Sequence, residues 1–236
     1  MTSNSKQNSG YFRTPIAAAM LCGVIAGAAS MALEQFLGDV YLRGANPDIT
    51  TYLCTYYLTN FVSHAIFMAG PALCFRRGRL LAMAALFALA IVVLQYALYT
   101  GFEWIIPRLG ASISYPLMNL TDSIVTNCSI TYFVARMYGL KRCPWRVQVV
   151  AIICGVLIFV GYFGMEFLRV IPGGDGSNEK PEEQAAYVMF SMISGLIVAT
   201  LPAIAIERAL KTQHPAASIP EAPNDSQPDS PAEIHA

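Results

Sequence analysis

Six mostly apolar stretches, each bracketed by charges, constrain this chain more than any other feature. A membrane-spanning helix needs about 20 mostly apolar residues. Such runs lie between Arg13 and Glu34, Asp48 and Arg76, Arg79 and Glu103, Arg108 and Arg136, Arg146 and Glu166, and Glu183 and Glu207. They are continuous rather than alternating, which specifies helices and not barrel strands. The expected fold is an all-α membrane protein, a bundle of six transmembrane helices at about 14–37, 50–75, 80–104, 111–135, 147–169 and 185–207. Hydrophobic residues make up 55% of the chain and charged residues 13%, about half the charged share of a soluble domain. Six spans within 236 residues leave no room for a separate globular domain. A net charge of zero offers no basic footprint for nucleic acid.

The distribution of basic residues sets an expected orientation. One face collects eleven: Lys6, Arg13, Arg76, Arg77, Arg79, Arg136, Lys141, Arg142, Arg146, Arg208 and Lys211. The other collects four: Arg43, Arg108, Arg169 and Lys180. Both termini are therefore expected in the cytoplasm, and the host membrane is expected to be a bacterial-type plasma (inner) membrane. Residues 1–13 read as a cytoplasmic segment, and 211–236, with five prolines among Ser, Asp, Glu and Asn, as a disordered cytoplasmic tail. The Gly-rich, then acidic, stretch 172–184 reads as an outer loop. A cleaved signal peptide is the rival reading of 1–32, but the apolar run continues to Leu33, longer than a usual signal core.

A weak internal repeat accompanies the spans. Cys22-Gly23-Val24 precedes Glu34 at the distance by which Cys154-Gly155-Val156 precedes Glu166. Tyr56, Ser63, Pro71 and Ala72 answer to Tyr187, Ser194, Pro202 and Ala203. Tyr99, Gly101, Glu103 and Trp104 answer to Tyr162, Gly164, Glu166 and Phe167. The pattern suggests three helical-hairpin quasi-repeats, and internal repeats are common in transporters.

Asp122 is the most informative residue. It sits at the middle of the fourth span, where a charge costs about 2.5–3.5 kcal/mol on insertion scales. Asn119, Asp122, Thr126 and Ser129 share one face of that helix, so this face is expected to meet other helices or a water-filled cavity. His64, with Tyr57, Asn60 and Pro71 on its face, lies near the middle of the second span. Pro71 is expected to bend that helix. The candidate ligand-binding or proton-coupling residues are Asp122, His64, Asn60, Asn119 and Asn127, with Glu34, Glu103 and Glu166 at the outer ends of odd-numbered spans. Carboxylates at helix C-termini oppose the macrodipole, so a ring at a cavity mouth is weighed against ordinary solvated interfacial acids. Glu207 reads as an interfacial partner of Arg208, and Trp104 with span-end tyrosines as an aromatic belt.

Small residues Ala18, Cys22, Ala26 and Ser30, and Ala19, Gly23 and Gly27, permit close helix contact along the first span. The contact is expected within the bundle or with a protein partner. The six cysteines have neither zinc spacing nor an external disulfide framework and read as small buried fillers. No metal or cofactor is expected. The chain has no Walker loop, HExxH pair or GxSxG elbow, which weakens an enzymatic reading without removing it.

Three functional classes follow. One is a small-molecule transporter or membrane-embedded substrate-binding subunit, with a polar site between the second and fourth spans. In outline it resembles the substrate-binding components of energy-coupling-factor transporters, a likeness of architecture without a family motif. The others are an intramembrane lipid- or isoprenoid-modifying enzyme using Asp122 as general acid, and an accessory or assembly subunit in which the polar residues bond helices together.

Overall fold

The computed structural model describes residues 14–37, 49–75, 77–167 and 181–213. Every regular element among them is a helix: α1 Pro15–Leu37, α2 Ile49–Phe67, α3 Gly70–Phe75, α4 Gly78–Leu109, α5 Ala111–Met137, α6 Trp145–Phe167 and α7 Pro181–Gln213. Residues 1–13, most of the expected outer loop and all but the start of the expected tail lie outside the described residues.

Three boundaries differ from expectation by four residues or more, one being the end of α4 at Leu109 rather than about 104. α7 begins at Pro181, inside the stretch read as an outer loop. Proline at the first helical position, followed by Glu182 and Glu183, favours that start. The same helix continues to Gln213, three residues into the stretch read as tail, and Glu207 pairs with Lys211 there at 2.8 Å. Glu207 does not pair with Arg208, because adjacent helical residues point in different directions while residues four apart face each other.

The second span is broken where proline requires it. Pro71 has no N–H to offer the Phe67 carbonyl four residues back. Met68 still bonds to His64 O at 3.0 Å, but Ala69 bonds to Ile66 O, and the helix restarts as α3. Pro202, its counterpart in the repeat suggested by the sequence, lies inside an unbroken α7.

Each long helix packs on its neighbour in sequence, and α7 closes the cycle on α1 with the most extensive contact in the molecule. The closure depends on missing side chains. A Cβ on Gly23 would overlap the Gly195 carbonyl oxygen, one on Gly195 would overlap that of Gly23, and one on Gly27 would overlap that of Ser191. Ala18, Cys22 and Ala26 are buried and Ser30 half-buried. Of the small-residue face, expected to make contact within the bundle or with a protein partner, these residues are thus packed within the bundle. Across the ring, a Cβ on Gly155 of α6 would come within 2.8 Å of Ile124 Cα on α5.

At the end of α5, Gly139 adopts φ 95°. Its N–H bonds to Arg136 O, and Leu140 N–H bonds to Ala135 O at 3.1 Å, a Schellman closure. Leu140 then packs with Ala135, Val147 and Ile206 in one core cluster. A second cluster holds Met68, Ala84, Ala88, Ile91, Ile130 and Met137 between the α2–α3 break, α4 and α5.

The outward faces are apolar. Along α4, Leu86 is 65% exposed, and Leu89, Val93 and Tyr96 continue the stripe at helical spacing. Met189, Ile193 and Ile197 on α7 and Ile153, Leu157 and Val160 on α6 do the same. Water would not tolerate so much contiguous apolar surface on a monomer; a hydrocarbon solvent accounts for it. Five described spans are long and apolar enough to cross a membrane: α1, α2 with α3, α4, α6 and α7. The protein is a multi-pass membrane protein. α5 is as long, at 27 residues. It falls short on apolarity because Asn119, Thr121, Asp122, Ser123, Thr126 and Asn127 lie within it.

The glycine closure predicts that Gly195→Ala destabilises the purified protein by about 1–3 kcal/mol through overpacking. Gly101→Ala, where a Cβ would meet nothing within 4 Å, should leave the melting temperature unchanged or slightly raised. Thermal unfolding in one detergent checks both; equal effects would show that the α1–α7 approach has slack.

Candidate functional site

One face of α4 carries three environments in succession. Ala84, Ala88 and Ile91 are packed dry in the core. One turn on, Gln95 is buried with an amide that can both donate and accept. Beyond it, Leu98 and Tyr99 line a cavity of about 280 Å³. α2 contributes Leu53, Tyr56 and Tyr57 to the lining, and α5 contributes Met118, Asn119 and Asp122. These residues occupy the first half of α2, the second half of α4 and the first half of α5. Since these neighbours run alternately up and down, the lining residues meet at one end of the bundle.

Gln95 joins the polar residues of three helices. Its Oε1 lies 3.4 Å from His64 Nε2, and its Nε2 donates to Asp122 Oδ2 at 3.3 Å and to Thr126 Oγ1 at 3.2 Å. Thr126 Oγ1 in turn donates to Asp122 Oδ1 at 3.4 Å. His64 and Asp122 are therefore coupled through an amide and do not touch. The glutamine was not among the residues singled out from the sequence. A signal existed: it falls at four- and seven-residue spacing from Ile91 and Ala88, a lone amide on an otherwise apolar face.

The arrangement separates the other candidates. Asn119 is exposed and lines the cavity beside Asp122. Asn127 is buried and donates to Ser123 O, one turn back on its own helix, at 2.7 Å, away from the cavity. Asn60 is half-buried and does not line the cavity; its Nδ2 has no hydrogen-bond partner. Thr59 Oγ1, Ser63 Oγ and His64 Nδ1 are likewise buried without partners, forming a polar seam on α2. Glu103 is exposed on α4, one turn beyond Tyr99, and Glu34 is exposed on α1. The Glu166 side chain lies outside the described residues. The structure thus bonds Asp122 and His64 to Gln95, places Asn119 with Asp122 on the cavity wall, and leaves His64, Asn60, Asn127, Glu34 and Glu103 out of the lining.

The tyrosines form a wall. Tyr57 meets Tyr56 edge-on at 5.3 Å between ring centroids and Tyr96 at 5.8 Å. Asp122 is half-buried and receives only neutral donors; among the described residues no basic side chain pairs with it. No cluster of three metal-ligating side chains occurs among the described residues. All six cysteines are free. Comparison with protein-family models, curated proteins and solved structures finds no match for this chain.

A double-mutant cycle checks the network. Gln95→Leu and Asp122→Asn should couple by roughly 0.5–2 kcal/mol, the range seen for interhelical hydrogen bonds in membranes. Gln95→Leu with Asn127→Ala should be additive, since Asn127 bonds only within α5.

Proposed function

We propose that this chain crosses the membrane six times, α5 included, and binds a small molecule in the cavity between α2, α4 and α5. It acts as a transporter or as the membrane-embedded substrate-binding subunit of one. The observation that carries this reading is the carboxylate of Asp122, placed at a cavity wall inside an apolar bundle without a countercharge among the described residues. A structural clamp alone needs no adjoining space. α5 crosses beside its neighbours because Asp122 and Thr126 bond to Gln95 of α4 and its back packs closely on α6 at Gly155.

The basic-residue bias supports cytoplasmic termini in a plasma membrane, with the cavity in the outer half of the bundle. Arg108, at the α4–α5 turn, then faces outward, and Lys141, between α5 and α6, faces the cytoplasm.

The rival reading is an assembly subunit, favoured by the hydrogen bonds that Gln95 and Thr126 already give Asp122. Native mass spectrometry of gently purified protein separates the two. A bound small molecule, lost on Asp122→Asn, is the expected result. Co-purifying subunits around an empty bundle would overturn the binding reading. In a cysteine-free background, a membrane-impermeant maleimide on intact cells should label Arg108→Cys and spare Lys141→Cys; the reverse would invert the topology.

A further inference from the structure

The geometry points to an organic cation, an amine or quaternary ammonium, as the ligand of the cavity, with Asp122 as its counter-ion and the tyrosine wall as its cage. This rests on the binding reading above and deepens it.

A carboxylate in a low-dielectric bundle demands compensation. The neutral Gln95 and Thr126 donors orient Asp122 at 3.3 and 3.4 Å but leave its charge uncancelled. Among the described residues no Lys, Arg or His lines the cavity. The countercharge can come from a proton or from a bound cation, and the walls distinguish them. A proton needs no cage, whereas Tyr56, Tyr57 and Tyr99 bring three aromatic rings to the same small space as the carboxylate. Ring faces attract ammonium groups, and aromatic cages are a recurring means of holding quaternary amines. The rings are braced edge-on, Tyr57 against both Tyr56 and Tyr96.

Size and approach agree. A cavity of about 280 Å³ is at the small end of ligand sites, suited to a compact amine rather than a lipid. Glu103 is exposed one turn beyond Tyr99 on the same side of α4, adding negative potential along the approach. Asn119 at the exposed rim supplies a hydrogen bond for a hydroxyl or carbonyl carried by the ligand.

The test is calorimetric titration of the full chain in lipid nanodiscs with three probes. Choline and benzyltrimethylammonium are cations; 3,3-dimethylbutan-1-ol is the neutral isostere of choline. The cations should bind saturably and the alcohol should not. Asp122→Asn should weaken the cations by roughly tenfold or more, and Tyr57→Leu by about tenfold, while Tyr57→Phe keeps the ring and the affinity. A thermal melt of each variant confirms folding, and Tyr57→Leu remains informative should Asp122→Asn fail to fold. Comparable binding of the alcohol, or unchanged cation affinity in folded Asp122→Asn, would overturn the cation assignment. No binding of any probe, with a molecule still co-purifying in the cavity by mass spectrometry, would also overturn it and leave the binding reading standing. No probe binding and no co-purified molecule would remove both.

Discussion

The hydrocarbon solvent is the constraint on which the rest of this structure depends. It offers no hydrogen bonds, so each polar group within a span must find its partner inside the protein. The outward faces accordingly carry Leu86, Leu89 and Val93 on α4 and Met189 and Ile193 on α7. The inward faces carry the amides, hydroxyls, His64 and Asp122. In water the same distribution would be inside out.

Without a hydrophobic force between helices in lipid, close packing must hold the ring together. Gly23, Gly27 and Gly195 let α1 and α7 approach until backbone meets backbone, and Gly155 does the same for α6 on α5. None of the residues at these tight contacts lines the cavity. The space between α2, α4 and α5 is instead lined by Tyr56, Tyr57 and Tyr99, with Gln95 as its polar floor. Below that floor Ala84, Ala88 and Ile91 pack with Met68, Ile130 and Met137. The bundle thus has a dry end and an open end, joined where Gln95 links α2, α4 and α5.

The break after Phe67 belongs to the same design. Pro71 interrupts α2 one turn beyond His64, so the histidine stands near the end of a helix segment. The unpartnered polar atoms of Thr59, Asn60, Ser63 and His64 run along that segment toward the cavity end. They place polarity on α2 that the hydrogen bonds of α4 and α5 do not satisfy, which adds to the case that this part of the bundle accommodates something other than side chains.

Much of the architecture was legible in the chain. Apolar runs and their bracketing charges determined the helices, because length and hydropathy are local properties that the bilayer reads directly. Pro71 determined a bend and Asp122 an inward face for the same reason: a missing N–H and a charge have costs that no fold removes. The central role of Gln95, the retreat of Asn127 onto its own helix and the burial of Ala18, Cys22 and Ala26 were decided by tertiary structure alone. Each depends on which helix stands opposite, and the helical spacings of a sequence do not say which helices become neighbours. The cavity is of the same kind. Tyr57, Tyr99 and Asp122 lie far apart in sequence, and only the packing of α2 on α4 and of α4 on α5 brings three tyrosines and a carboxylate to one space.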